Sequence, residues 1–159
     1  MNTYIHKIRS KLGQEKFIHP AARIIVENQH KEVLTIERKD NGKLGIPAGS
    51  LEEGETIEAC IIREVYEETG IRVRNLQVIG ISSNPQIETV KYPNGDEIQY
   101  FTVEFYSNDW EGTIKVHDKD EVKRAMFTDR SVKEKLPENE LSAFQSLDFF
   151  RTYHKIMLK

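Results

Sequence analysis

The sequence predicts an α/β or α+β sandwich in which strands surround a central helix and further helices close both ends. Three observations carry this. β-branched runs recur between Ala21 and Thr128, one amphipathic helix rich in glutamate interrupts them between Thr56 and Gly70, and apolar residues fall at helical spacing near both termini. With 159 residues, 38% of them hydrophobic and 31% charged, the chain suits one well-buried core and is short for two ordinary domains. A single domain is expected over residues 1–159. No apolar run approaches the ~18 residues of a membrane span, and MNTYIHKIRS lacks the apolar stretch of a secretory signal. Cys60 is the single cysteine, which rules out an internal disulfide and points to a reducing compartment, the cytoplasm. The net charge of -3 gives no overall basic footprint for nucleic acid but leaves room for a local basic patch.

Tyr4, Ile5, Ile8 and Leu12 share a helical face and Gly13 can end it, so a helix is expected over about residues 3–12, docked on the domain or on a second subunit. Residues 21–27 and 32–38 are β-branched runs separated by polar Asn28, Gln29, His30 and Lys31, a pattern that predicts a hairpin with a longer loop. Lys39, Asp40, Asn41 and Gly42 then break the pattern. Thr56 can cap a helix beginning at Ile57, Glu58 suits its positive end, and Gly70 can terminate it. Residues 73–81 and 86–92 read as strands, Pro93-Asn94-Gly95-Asp96 as the turn, and 97–106 as the returning strand. Residues 122–128 give a final strand. From about 137 to 158, Leu141, Phe144, Leu147, Phe150 and Tyr153 mark an amphipathic helix. The apolar faces of the two terminal helices exceed what one small sandwich needs, which predicts a homodimer.

The central helix carries the chemistry. At 100° per residue, Glu67 lies about 60° to one side of Glu64 and Glu68 about 40° to the other, so the three share an arc of about 100°. That arc adjoins the buried stripe of Ile57, Ile61 and Val65. Glu64 and Glu68 repel at i,i+4, and Glu67 and Glu68 sit at the negative end of the helix dipole. Arg63 alone cannot offset three carboxylates. A solvated charged face is the usual explanation of a glutamate-rich helix, but this clustering works against local stability. A bound divalent cation reverses that cost, and an all-carboxylate site suits Mg²⁺ or Mn²⁺. The histidines at 6, 19, 30, 117 and 154 are scattered, which argues against zinc.

Gly49, Glu55, Arg63-Glu64, Val65, Glu67-Glu68, Gly70 and Ile71 fall at fixed spacing, and this pattern resembles the signature of the Nudix hydrolase (MutT-like) family without departure. Upstream, Leu44 to Gly49 is similar to the family's Trp-x-x-Pro-Gly-Gly lead-in, with Leu44 in place of Trp and Ala48 in place of the first Gly. The resemblance implies a Nudix-type α/β/α sandwich with a mixed sheet and a catalytic loop-helix. It also implies metal-dependent hydrolysis of the pyrophosphate bond in a nucleoside diphosphate linked to another moiety. Glu64, Glu67, Glu68 and the Ala48 carbonyl are then the ligands of Mg²⁺ or Mn²⁺, and Arg63 and Glu55 orient the motif. A second acidic loop, Asp118-Lys119-Asp120-Glu121, matches a region where the family often places a general base, and Glu121 is the candidate there. Glu64 and Asp120 stand as the alternatives.

Pro47-Ala48-Gly49 is similar to the ADP-ribose and ADP-sugar branch of the family, with Pro85 one place short of that branch's later proline. An RNA 5′ end and a dinucleoside polyphosphate stay open as substrates. A non-catalytic nucleotide-binding module is the rival from another class, since fold does not fix function, and such modules often lack the glutamates present here. A structural calcium site fits less well, because these carboxylates come from a helix rather than a loop.

Overall fold

The computed structural model describes residues 3–159. Its elements run α1 (Tyr4–Leu12), β1 (Phe17–Val26), β2 (Val33–Arg38), β3 (Leu44–Gly45), β4 (Ala48–Ser50), α2 (Ile57–Thr69), β5 (Arg72–Arg74), β6 (Gln77–Ser82), α3 (Pro85–Glu88), β7 (Thr89–Lys91), β8 (Glu97–Ser107), β9 (Asp109–Glu111), β10 (Val122–Thr128), α4 (Glu138–Tyr153) and β11 (Met157–Leu158), with a 3-10 turn at Arg130–Lys135 before α4. The largest sheet is mixed, in the order β11-β6-β8-β1-β4, with β7 also paired to β8. A second sheet runs β10-β2-β3, and β5 pairs with β9.

The long pairing of β1 with β8 is parallel, from Phe17 opposite Ile98 to Val26 opposite Ser107. From Ala21 onward every residue of β1 is buried, as expected of a strand covered on both faces. Its side chains alternate between two cores. Ala22, Ile24 and Val26 pack with Ile61 and Val65 of α2, while Ile25 packs with Phe144 and Leu147 of α4. Helices on opposite faces of a mixed sheet make the α/β/α sandwich that the sequence implied.

Four expectations need correction. Residues 21–27 and 32–38 do not form a hairpin: β1 gives its edges to β8 and β4, β2 pairs with β10 and β3, and the two runs meet only at an isolated bridge between Glu27 and Val33. The strand expected over 73–81 is two strands, divided at Asn75, whose φ of 49° turns the chain so that β5 joins β9 and β6 joins β8. Within 86–92 only β7 is extended, because Asn84 caps and Pro85 opens the short α3. The last helix stops at Tyr153 with His154 at φ 52°, and β11 returns parallel to β6.

Phe144 and Leu147 are 1% exposed, so the apolar face of α4 expected at a subunit contact is consumed within the chain. On α1, by contrast, no residue is buried. The Tyr4 amide at its first turn donates to Glu52 Oε2 at 2.8 Å, and Lys7 meets Glu53 at 3.2 Å, so α1 docks on the loop that leads into α2. Among the described residues no helix is long and apolar enough to cross a membrane.

Candidate active site at the acidic end of the central helix

Helix α2 starts and ends as its sequence dictates. The Thr56 hydroxyl accepts from the Ala59 amide at 3.1 Å, and Gly70, at φ 80°, donates its amide to the Tyr66 carbonyl. A Cβ on Gly70 would lie 2.6 Å from the Lys115 carbonyl oxygen. That contact matters because the loop at 115–118 closes the C-terminal end of α2. Lys115 N–H donates to Thr69 O at 2.8 Å, and the amides of His117 and Asp118 donate to Glu67 O at 2.9 and 2.8 Å. The same loop continues to Glu121, so the helix end and the second acidic segment are tied together by backbone hydrogen bonds.

Arg63 organises the motif. Its guanidinium donates to both oxygens of Glu55 at 2.7 and 3.0 Å, to Glu64 Oε1 at 2.8 Å, to Glu67 Oε2 at 3.3 Å and to the Ser50 carbonyl at 3.2 Å. Glu55 Oε1 in turn accepts the Glu52 amide at 2.9 Å, which continues the connection to α1. Glu64 lies against the backbone of Gly49, where an added Cβ would fall 2.0 Å from the Glu64 carboxyl carbon. Glycine at that position leaves room for the carboxyl where Arg63 holds it, and a larger residue would push it aside. Glu68 reaches the start of the same strand, β4, and its Oε2 accepts the Ala48 amide at 3.3 Å.

Burial and mutual repulsion set the protonation of these groups. The Glu64 side chain is 15% exposed; desolvation lifts its pKa to about 7 against the pull of Arg63, and the charges of Glu67 and Glu121 lift it further. Glu68 is 5% exposed and its pKa stands well above the ordinary range, through burial first and then the charges of Glu64, Glu121 and Glu140. Glu121 lies at the surface, yet partial desolvation raises its pKa, with the charges of Asp118 and Glu67 adding to the rise. Arg63 and Glu55 behave as a strong pair: Glu55 is held below its usual value by the guanidinium, and Arg63 is held above its own by Glu55. Buried Cys60 is pushed up to about 12 by desolvation, so its thiol stays protonated and inert.

The charges of Glu67 and Glu121 thus act on Glu64, and those of Glu64 and Glu121 on Glu68. At the edge of the buried stripe Glu64 and Glu67 keep some solvent, with side chains 15% and 38% exposed, whereas Glu68 is buried. Among the described residues, no three His, Cys, Asp or Glu side chains stand close enough together to form a ready-made cation cage. Glu64 and Glu67 point oxygens at Arg63 instead. The donor chemistry still fits a hard divalent cation, since every candidate is a carboxylate or a backbone carbonyl.

Sequence reading missed Glu140. Its Oε2 accepts the Ile46 amide at 3.2 Å, beside Gly45, where a Cβ would meet that oxygen at 3.0 Å. Burial lifts its carboxyl to about 7, and its charge acts on Glu68. A signal was present: Glu140, Phe144 and Leu147 follow the i, i+4, i+7 stripe that turns out to be buried.

The NUDIX domain family model matches residues 17–147. Over 90 residues the chain is 37% identical to the ADP-ribose pyrophosphatase of Methanocaldococcus jannaschii, a match covering 52% of this chain and 53% of that protein. Over 64 residues it is 42% identical to the NAD-capped RNA hydrolase NudC of Vibrio parahaemolyticus, covering 40% of this chain and 25% of that protein. The matched parts are thus about half, or less, of the length of these curated relatives. Among solved structures, the NUDIX domain of Shewanella oneidensis NrtR complexed with ADP ribose aligns with a TM-score of 0.68 at 15% identity, over 94% of this chain and 98% of that one. The MutT protein of Methanosarcina mazei aligns with a TM-score of 0.67 at 20% identity, over 86% and 97%. These two likenesses concern the fold, and the match across 17–147 agrees with the geometry around α2: the chain belongs to the NUDIX domain family.

Proposed function

We propose that the chain hydrolyses the pyrophosphate bond of a nucleoside diphosphate linked to another moiety. The observation that carries this reading is the motif assembled on α2 and β4: the Arg63 guanidinium hydrogen-bonds Glu55, Glu64 and Glu67, the Glu64 carboxyl lies against Gly49, and Glu68 accepts the Ala48 amide. Glu64, Glu67, Glu68 and the Ala48 carbonyl are the residues that would hold Mg²⁺ or Mn²⁺. When bound, such a cation neutralises anhydride oxygens and lowers the pKa of a coordinated water. Gly49 of β4 gives the Glu64 carboxyl its space, Arg63 orients Glu64 and Glu67, and Glu121 serves as base toward the attacking water. The similarity to an ADP-ribose pyrophosphatase makes ADP-ribose the first small substrate to try.

The test is hydrolysis of ADP-ribose in ¹⁸O-water with Mg²⁺ and with chelator. Metal-dependent turnover that labels a phosphate product supports the reading, whereas binding without turnover supports a nucleotide-binding module. A homodimer remains part of the proposal through α1 alone, whose Leu12 is 41% exposed, and sedimentation showing a monomer at about ten micromolar would remove it.

A further inference from the structure

Between β3 and β4 the chain crosses from one sheet to the other at Ile46 and Pro47. Gly45 is paired with β2, opposite Ile36, and Ala48 with β1, opposite Arg23. The Ile24 amide donates to the Pro47 carbonyl at 3.1 Å, and the Leu51 amide to the Pro20 carbonyl at 3.1 Å. These two bonds fix the phase of the β1–β4 ladder. Arg23 and Ala48 are the kind of pair that exchanges no hydrogen bonds, so Ala48 turns its own N–H and C=O away from β1. The N–H goes to Glu68 Oε2 at 3.3 Å. The carbonyl faces the same way, on the edge strand of the sheet and toward the side from which Glu68 of α2 approaches.

The direction of that carbonyl is set by the crossover before it. Pro47 has no N–H, so the neighbouring donor is the Ile46 amide, and its acceptor comes from another layer: Glu140 Oε2 of α4, at 3.2 Å. The carboxyl lies so close to the backbone that a Cβ on Gly45 would meet its oxygens at 3.0 and 3.2 Å. Glu140 is itself held. It is buried, and the buried Arg23 guanidinium donates to the carbonyl of its neighbour Asn139. Because Arg23 is also the strand partner of Ala48, the connections close a ring that runs from Ala48 through Arg23, Asn139, Glu140 and Ile46 back to Ala48. The Ile46 side chain packs in the same core as Phe144 and Leu147 of α4. A leucine or methionine at 140 would serve that core without the cost of burying a carboxyl, so the carboxyl calls for a reason beyond packing.

We infer that Glu140 is a positioning residue for the metal site: by holding the Ile46 amide it sets the crossover at Pro47 and so aims the Ala48 carbonyl. This deepens the reading above and rests on it for the carbonyl being a ligand. It gives α4 a duty in a site otherwise built from α2 and β4. The hydrogen bond and the charge of Glu140 act in opposite senses, since the charge opposes ionisation of Glu68 whereas the bond holds a ligand in place. Substitutions can therefore separate them.

The test is Mn²⁺ affinity without substrate, read from the electron spin resonance signal of the free ion. Glu140→Gln keeps an acceptor at the same reach and removes the charge, so it should bind Mn²⁺ within about threefold of the parent or more tightly. Glu140→Met fills the space without an oxygen, and Glu140→Asp keeps the charge but draws the oxygens back by a methylene. Each should weaken Mn²⁺ binding about tenfold or more. Hydrogen exchange at the Ile46 amide should quicken in Glu140→Met and Glu140→Asp but not in Glu140→Gln. Should Glu140→Met fail to fold, the contrast between Glu140→Gln and Glu140→Asp decides. The inference is overturned if Glu140→Asp binds Mn²⁺ as well as the parent, whatever its melting temperature, or if Glu140→Gln loses as much affinity as Glu140→Asp. A parent that binds no Mn²⁺ removes the metal site proposed above and this inference with it. A parent that binds Mn²⁺ but leaves ADP-ribose intact counts against the proposed substrate alone, and the contrast between the variants still decides the role of Glu140.

Discussion

Glu64 and Glu68 are held against their preference for ionisation in water, and this has a measurable sign. A carboxyl whose folded pKa lies above its unfolded value binds more protons in the native state, so its contribution to stability is full below the unfolded pKa and is lost as pH rises toward the folded one. For Glu64 and Glu140 that window runs from 4.5 to about 7, and Glu68 shifts in the same direction. Glu121 is raised too, and His19, whose pKa is lowered by burial, opposes them near its unfolded 6.5 as one group against four. Metal-free protein should therefore melt at a higher temperature at about pH 5 than at about pH 8, and Glu64→Gln should reduce the difference. Calorimetry in chelator showing higher stability at the alkaline end would contradict the assignment. Added Mg²⁺ should stabilise more at the higher pH, where the carboxylates are ionised. Glu67→Gln and Glu68→Gln should each remove most of the hydrolytic rate without lowering the metal-free melting temperature. Each substitution relieves repulsion, and the side-chain amide introduced by Glu68→Gln keeps an oxygen that can accept from the Ala48 N–H. Glu121→Gln should lower kcat by about 10²–10⁴ if it is the base. A rate near that of the parent would shift that role to Glu64 or Asp120.

Among the elements, the junction between α2 and the loop at 115–118 governs how the two acidic segments meet. Gly70→Ala places a Cβ within 2.6 Å of one backbone atom and 2.8 Å of another in Lys115, at a φ of 80°. The substitution should cost about 1–3 kcal/mol and displace the loop. Thermal unfolding measures the first effect, and a fall in kcat larger than any rise in KM for ADP-ribose measures the second. A change within about 0.5 kcal/mol would show that the junction yields easily. Glycine here was legible as a helix terminator, but its second duty of admitting the Lys115 backbone was not, because the partner lies forty-five positions away in the chain.

For the molecule as a whole, a buried charge network ties the far end of the chain to the central strands. Lys159, 8% exposed at its side chain, meets Glu104 at 2.8 Å and also donates to the Ser142 carbonyl and hydroxyl at 2.8 Å. Arg23 pairs with Glu88 and lies 3.7 Å from Glu104, so two cations match two carboxylates in a region with little water. Lys159→Met should destabilise by about 3–5 kcal/mol because it leaves Glu104 without its closest cation, and adding Glu104→Gln should recover much of that loss. Chemical denaturation of the two variants checks this. Equal stability of Lys159→Met and the parent would mean that Arg23 alone suffices.

The sequence by itself determined the central helix, its caps, the motif residues and the layered fold, because those depend on local spacing: a 3.6-residue period, a hydroxyl before the first turn and a glycine after the last. Glu64, Glu67 and Glu68 share a face whatever the rest of the chain does. Strand partners were decided only by tertiary structure, since β1 reads the same whether it pairs with its neighbour in sequence or, as here, with β8 eighty or so positions later. For the same reason the burial of Glu68, the approach of Glu121 and the use of the α4 apolar face inside the core had no local signature. Each arises from side chains brought together by the packing of separate elements, and both desolvation and Coulomb interaction depend on distance in space rather than along the chain.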